Sequence, residues 1–354
     1  MNNTKKEKVL VAMSGGVDSS VAAHLIMSSG YDAIGATMRL VDGLPLNDIS
    51  DTEIVAARNS CRRLGIEHTV LDIRDLFRKH VVDNFVSVYL NGETPNPCIV
   101  CNKNIKFGAM LDSAMDLGCD KLATGHYARI EKNSSGRYIV RQAADPLKDQ
   151  SYMLWTLSQE QLSKVVFPLG ELTKSEAREI AASLSFENAH KKDSQDVCFI
   201  PDGDYAKFIE LYTGKTSPVG NYIDMNGNVL GKHKGIINYT IGQRKGLGIA
   251  LGQPMFVHSK SVVDNTVTLC KNEELFEKTL IATDINLISI DKIDKPMRVL
   301  AKARYGQKAS PATATQIDEN TVKIEFDEPI RAISAGQSVV FYDGDVLVGG
   351  GIIK

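Results

Sequence analysis

The sequence predicts an α/β protein: an N-terminal doubly wound parallel sheet, then a small, mostly β linker domain, then a C-terminal β-barrel-like domain. Three observations lead there. Strand-like and helix-like runs alternate through the first half of the 354 residues. Helical periodicity nearly vanishes after an amphipathic stretch at 204–212, where a glycine-rich region with short β runs begins. From about Leu280, apolar and polar residues alternate, as in Val322-Lys323-Ile324-Glu325-Phe326, the period-2 pattern of half-buried strands. The expected division is 1–205, 206–278 and 279–354.

Taken in order, 9–13 is an apolar strand and 18–29 a helix of small and apolar residues. A strand follows at 32–39. A helix at 51–64 carries Ile54, Val55, Ala57, Cys61 and Leu64 near helical spacing and stops at Gly65, the residue type that most easily takes the left-handed cap. A strand at 68–72, helices at 76–90 and 105–117, and a strand at 121–124 complete the alternation. Such alternation places ligands at the carboxyl ends of the strands. The segment 130–141, broken by Asn133-Ser134-Ser135-Gly136, reads as a hairpin. Helices are expected at 159–164 and 174–183, the second opened by Thr173-Lys174-Ser175-Glu176, a cap followed by an acid.

The net charge is −2, so bulk charge does not announce a nucleic-acid partner, although local basic patches still can. No apolar run reaches the roughly 18 residues of a membrane span, and the polar start lacks the apolar core of a signal peptide. Six cysteines in a chain this long do not make a disulfide scaffold. A cytoplasmic, reducing location is expected, with paired cysteines serving catalysis or metal binding.

Chemistry concentrates first in Ala12-Met13-Ser14-Gly15-Gly16-Val17-Asp18-Ser19-Ser20, between the first strand and the first helix. Glycines let the backbone approach an anion, and the free N–H groups and dipole of the helix start attract phosphate. The string is neither Gly-x-x-x-x-Gly-Lys-Ser/Thr nor Gly-x-Gly-x-x-Gly, so the commoner phosphate loops are excluded. Asp18 beside phosphates suits Mg²⁺, which prefers oxygen ligands.

The second concentration is Thr94-Pro95-Asn96-Pro97-Cys98-Ile99-Val100-Cys101-Asn102-Lys103-Asn104-Ile105-Lys106-Phe107. Asn102 is the expected cap of a helix starting near Lys103. Cys101, just ahead of that helix and next to Lys103 and Lys106, should then have a lowered thiol pKa. On its own, Cys98-x-x-Cys101 has several readings: a redox pair, a zinc half-site, an iron–sulfur half-site, or two inert thiols. Cys61 and Cys270 lie in apolar patterns and read as core, as does Cys119 at a helix end.

The Ser14–Ser20 string resembles the PP-loop of ATP pyrophosphatases, which adenylate a substrate and release pyrophosphate. Together with the cysteine segment, Thr124–Arg129, Lys148–Leu154, Asp193–Ile200, Thr240–Ile249, Ala303–Ala312 and Ser334–Asp345, in this order, it is similar to the tRNA-specific 2-thiouridylases over essentially the whole chain. The resemblance implies an N-terminal domain like the adenine nucleotide alpha hydrolases. It implies an enzyme that adenylates the C2 oxygen of a tRNA wobble uridine with ATP. Sulfur from an upstream persulfide donor then displaces AMP.

By the same resemblance, Ala12, Met13, Ser14, Gly15, Gly16, Val17, Asp18, Ser19, Met38 and Gly125 bind ATP. Cys198 carries the persulfide, and Cys101 is the nucleophile that can close a disulfide with it. Asn96, Pro97, Cys98, His126, Lys148, Asp149, Gln150, Arg304, Tyr305 and Gln337 meet the tRNA. An Arg–Tyr pair and a basic side chain suit a splayed, single-stranded base and its phosphates. Tyr152 has two readings, stacking on a flipped base or packing. Acids at Asp193 and Asp196 flank Cys198 and do not explain its activation.

One position departs from the family pattern. Much of the family has Asp where this chain has Cys98, and a thiol is a weaker, softer acid than a carboxyl. Cys98, Cys101 and Cys198 then make three thiols that can hold a [4Fe-4S] cluster with one iron open. The cluster and the persulfide–disulfide route both stand open at this point.

Overall fold

The computed structural model describes residues 6–45, 51–186, 188 and 197–354. Strand β1 (Lys8–Ala12) is the centre of the first sheet, and Val9, Leu10 and Val11 are all fully buried. A strand covered on both faces has no polar side to alternate with. Around it lie β2 (Asp32–Arg39), β3 (Glu67–Asp72), β4 (Lys121–Ala123) and β7 (Val165–Val166), in the order β3-β2-β1-β4-β7 and parallel throughout. Sheet order reverses direction between β1 and β4, so the carboxyl ends of those two strands flank a switch point. Helix α1 (Val17–Ser28) buries Val17, Ser19, Ser20, Val21, Ala22, Ala23 and Ile26. Its small residues let it lie close to the sheet. Helix α2 (Thr52–Leu64) ends where expected, with Gly65 at φ 72°.

The cysteine segment differs from expectation. One continuous helix, α4, runs from Pro97 to Asp116, following α3 at 74–90. Its cap is Asn96, whose Oδ1 accepts from the Ile99 N–H at 3.4 Å, with Pro97 in the first position. Proline fits there because its missing N–H is not needed and its φ is already helical. Asn102 is not a cap. It is buried mid-helix and donates its amide to the Met153 carbonyl at 3.0 Å. The helix widens into π-helical turns over 102–109, immediately after Cys101, a distortion often found near functional sites.

The hairpin β5 (Arg129–Lys132) and β6 (Tyr138–Arg141) forms as expected. It joins a distant partner, however: Val140 and Arg141 pair with Leu347 and Val346. After helices α5 (Gln159–Ser163) and α6 (Lys174–Ser183), helix α7 (Tyr205–Thr213) opens the central part. There β8 (Gly220–Ile223), β9 (Val229–His233), β10 (Phe256–Ser261) and β11 (Thr266–Cys270) form a sheet of order β10-β11-β8-β9 over Tyr222, Val257, Val267 and Leu269.

Strands β12 (Phe276–Leu287), β13 (Met297–Lys302), β14 (Ser310–Asp318), β15 (Thr321–Arg331), β16 (Ser338–Asp343) and β17 (Val346–Ile353) close into an antiparallel barrel through β12–β17 pairing. Val322, Ile324 and Phe326 point into it, as their alternation requires. Segment 151–157 seals the first unit to the barrel. The Tyr152 hydroxyl donates to the Ser338 carbonyl (2.7 Å), and the Trp155 indole donates to Ser338 Oγ (3.1 Å). Tyr152 is fully buried and packs. Among the described residues, no helix is long and apolar enough to cross a membrane.

Candidate active site

Past Ala12, Met13 donates its N–H to the Ala36 carbonyl at 2.8 Å, and the chain turns through Ser14, Gly15 and Gly16 into α1. Gly15 stands at φ +69°, and a Cβ there would lie 2.6 Å from the Glu53 carbonyl oxygen. Both facts require glycine. Ser19 Oγ fills the turn, accepting from the Ser14 N–H (3.2 Å) and donating to the Gly16 carbonyl (3.0 Å). The Asn188 amide donates to the Gly15 carbonyl at 3.0 Å. Gly16 holds the cap position without a capping side chain. The leading N–H groups of α1 are therefore left for an outside anion, which the helix dipole favours. Gly125, just past β4, closes the other side. A Cβ there would lie 3.0 Å from the Asp18 backbone carbon and Cβ and 3.1 Å from the Ser19 nitrogen, so a larger residue would force the strand end and the helix apart. Met38 sits partly buried at the end of β2.

Asp18 is engaged by two protein groups in this arrangement. Lys174 Nζ donates to both of its carboxylate oxygens at 2.8 Å, and the Tyr127 hydroxyl donates to Oδ1 at 2.8 Å. Among the described residues, no group of three His, Cys, Asp or Glu side chains is placed to hold a metal ion. The expectation that Asp18 ligates Mg²⁺ meets a carboxylate already committed to a buried lysine. The sequence reading missed Lys174 and Tyr127. One signal existed: a lysine in the first turn of a helix opposes the helix dipole, and such a residue needs a reason.

The three thiols come together from two directions. Cys98 and Cys101 share α4, three residues apart and hence on one face. Cys198 reaches them from a segment anchored by Phe199 and Ile200, which are buried. Phe199 packs edge-on against Phe85 (5.3 Å) and Phe77 (5.6 Å). Cys98 and Cys198 are exposed, Cys101 is buried, and all are free thiols. Each feels the charge of Lys106, which lowers its pKa, and the Cys198 thiol feels Cys101, Cys98 and Glu53, which raise it. Crowding by protein outweighs the lysine. Burial pushes Cys101 up to about 11 and Cys198 up to about 12, and Cys98 also upward. The expected low pKa of Cys101 is thus corrected: the residue lies inside the helix, not ahead of it, and desolvation disfavours the thiolate. Asp193 and Asp196 lie outside the described residues. Cys61 and Cys270 are buried core thiols, as expected.

The residues expected to meet tRNA differ in exposure. Tyr305 is exposed, 39 % by area, and donates its hydroxyl to the Asp149 carbonyl at 3.2 Å. Lys148 and Gln150 are half-buried, and Gln150 exchanges hydrogen bonds with the Tyr127 backbone. Cys98 is exposed, Asn96, Arg304 and Gln337 are half-buried and bonded to protein, and Pro97, His126 and Asp149 are buried. His126 is buried between Phe107 and Phe167, with Nδ1 2.7 Å from Thr124 Oγ1, and burial holds its pKa well below the usual histidine range. Asp149 is buried and accepts from the Ala143 and Ser151 N–H groups and the Ser151 hydroxyl. Arg304 bonds the Ile241 carbonyl and Ser334 Oγ. Gln337 donates to the Thr94 and Pro95 carbonyls, 3.0 Å each. Asn96 caps α4, and Pro97 is buried behind it.

Three family models match the chain: the tRNA methyl transferase HUP domain over residues 7–202, the tRNA methyl transferase PRC-barrel domain over 206–271, and the aminomethyltransferase beta-barrel domain over 277–353. The chain is 50% identical over 354 residues to the tRNA-specific 2-thiouridylase MnmA of Clostridioides difficile, with 98% of each chain covered. It is 49% identical over 358 residues to the protein of the same name from Clostridium acetobutylicum, covering 98% of this chain and 99% of that one. Among solved structures, the U34-tRNA thiolase NcsA of Methanococcus maripaludis superposes with a TM-score of 0.36 at 20% identity, over 60% of this chain and 68% of that one. A likeness that loose carries no argument.

Proposed function

This chain belongs to the tRNA-specific 2-thiouridylase family, and from that membership we propose that it replaces the C2 oxygen of a tRNA wobble uridine with sulfur, using ATP. The domain descriptions speak of methyl transfer, whereas the full-length relatives are thiouridylases. An anion-binding turn in one chain with three free thiols suits adenylation and sulfur transfer, not methyl transfer. The observation that supports the reading is the pairing, in one chain, of an uncapped anion-binding helix start at Gly16 with three free thiols, of which Cys98 and Cys198 are exposed. Glu53, whose carbonyl lies against Gly15, is also a minor charge on Cys198.

The loop's free N–H groups hold ATP phosphates, and Gly125 permits the close approach. Carbonyl oxygen is a poor leaving group, and adenylation makes it leave as AMP. Cys198, exposed, takes sulfur as a persulfide from an external donor in the cytoplasm. Its terminal sulfur forms the bond to C2 as the C2–O bond to AMP breaks. Cys101, buried behind it, then attacks the inner sulfur. The S–S bond breaks, sulfur stays on the base, and a Cys101–Cys198 disulfide closes that an external thiol must reduce. Both thiols are held protonated in the free protein, so the substrate complex supplies the deprotonation.

Exposure of Tyr305 and partial exposure of Lys148 and Gln150 support direct tRNA contacts for these three, and the buried Pro97, His126 and Asp149 would support that surface from beneath. A [4Fe-4S] cluster on Cys98, Cys101 and Cys198 is the rival to this route, and no step is assigned to one.

The test is mass spectrometry of tRNA nucleosides from a deletion strain. 2-Thiouridine should vanish, return with the wild-type gene, and stay absent with Cys101→Ala or Cys198→Ala, both of which should still bind ATP. Persistence of 2-thiouridine in a strain without a paralogue refutes the function. Iron bound by anaerobically purified protein, lost together with activity in Cys98→Asp, would replace the persulfide route with a cluster.

A further inference from the structure

The Asp18–Lys174 pair joins residues 156 apart in sequence at the mouth of the phosphate loop. Lys174 is 9 % exposed, and its ammonium lies 2.8 Å from each Asp18 oxygen. Asp18 stands in the first turn of α1, where the anion-seeking N–H groups are. Lys174 itself occupies the first turn of α6, a place where the dipole repels a cation. Its backbone N–H is fixed by Asp145 Oδ2 at 3.0 Å, and Thr173 with Glu176 forms a capping box around it. The ammonium also lies over the Tyr127 ring, 5.9 Å from its centre. A buried cation is thus held in an unfavourable helix position by Asp18, Asp145, the capping box and the Tyr127 ring, beside the start of α1.

We infer that Asp18 positions the Lys174 ammonium, not a metal ion, and that Lys174 takes up the charge of the departing pyrophosphate. This rests on the adenylation reading above. In that step the C2 oxygen of uridine forms a bond to the α-phosphorus while the bond from that phosphorus to the α–β bridging oxygen breaks. The electron pair leaves with pyrophosphate, the base gives its N3 proton to solvent, and nothing is oxidised. Charge grows on the leaving group, and a preorganised ammonium in a water-poor site is the efficient way to meet it. Asp18 holds that ammonium in place without a free anion in the site. A divalent ion carried on the nucleotide's own phosphates is compatible with this arrangement.

The test measures pyrophosphate and AMP binding by calorimetry. Lys174→Gln should weaken pyrophosphate binding by about tenfold or more, the size of one lost charge-assisted contact, and leave AMP affinity within about twofold. Lys174→Arg should retain most pyrophosphate affinity. Asp18→Asn should act in the same direction as Lys174→Gln, without moving the Mg²⁺ concentration needed for binding of a non-hydrolysable ATP analogue. A single variant strands a buried charge, so the double variant Asp18→Asn/Lys174→Gln, which removes both, is the folded control. It should lose pyrophosphate affinity no further than the worse single variant. Unchanged pyrophosphate binding in the folded double variant overturns the inference. So does a raised Mg²⁺ requirement in Asp18→Asn alone, which would return Asp18 to the metal. If wild-type protein fails to restore 2-thiouridine while pyrophosphate binding still depends on Lys174, the reaction assigned above falls and the Lys174 contact stands.

Discussion

Gln337→Ala gives the clearest view of how the barrel governs the thiol loop. Gln337 donates to the Thr94 and Pro95 carbonyls at 3.0 Å each, and the Thr94 N–H donates back to Ala335 at 3.0 Å. Gly336, at φ +83°, brings the two loops so close that a Cβ would meet Thr94 O at 3.0 Å. Alanine removes two hydrogen bonds of about 0.5–1.5 kcal/mol each and leaves two carbonyls without their partner. Local opening of residues 93–97 should become easier by about 1–3 kcal/mol, or about 5–150-fold in rate of amide exchange at Thr94. Hydrogen exchange read by mass spectrometry measures this without tRNA present. Thiolation should slow, because Asn96 and the start of α4 hang from this loop, while ATP affinity should hold. Exchange at Thr94 unchanged within about twofold, alongside a fall in tRNA affinity alone, would refute the reasoning and leave Gln337 as a tRNA contact only.

Gly15→Ala should abolish ATP binding, because it sets a Cβ 2.6 Å from the Glu53 carbonyl oxygen at φ +69°. Overpacking and the left-handed backbone together cost about 2–5 kcal/mol, and equilibrium binding of an ATP analogue checks it. Alkylation of Cys198 by iodoacetamide in the free protein should rise with pH from 7 to 9 with a log–log slope of about one, since only the thiolate reacts. Desolvation of the sulfur pushes that thiol up to about 12 although the residue is exposed, and a plateau below pH 8 would contradict it. His126 is buried neutral with its pKa lowered by desolvation. Unfolding lets it bind a proton, so the stability it contributes is present above about pH 6.5 and falls as the pH drops below that value. His126→Gln should flatten this acid loss in urea titrations and leave tRNA affinity nearly intact; a steep loss of affinity at unchanged stability would put His126 back on the tRNA surface.

Local features were legible in the sequence because their physics is local. The strand–glycine–helix order of 8–28, the Gly65 stop, the Thr173 cap and the alternation of β15 each follow from a few neighbouring residues. The cap of α4 is legible too, in Asn96-Pro97 and not in Asn102. A proline in the first helical position marks a start more firmly than an asparagine within an apolar run. The sequence by itself thus determined the fold class, the phosphate loop and the identity of the three thiols.

The tertiary structure alone decided their surroundings. The hairpin at 129–141 was visible, but only assembly joined it to β17. Thiol pKa values depend on burial, and burial depends on how the Phe199 anchor brings Cys198 to α4. Asp149 carries a charge that a sequence assigns to solvent, yet the fold turns it inward, where the Ala143 and Ser151 N–H groups need an acceptor. Asp18 is the sharpest case. Its own neighbourhood recommends a metal, and a lysine 156 residues away occupies its carboxylate, since charges that share a buried site settle by proximity in space, not in sequence.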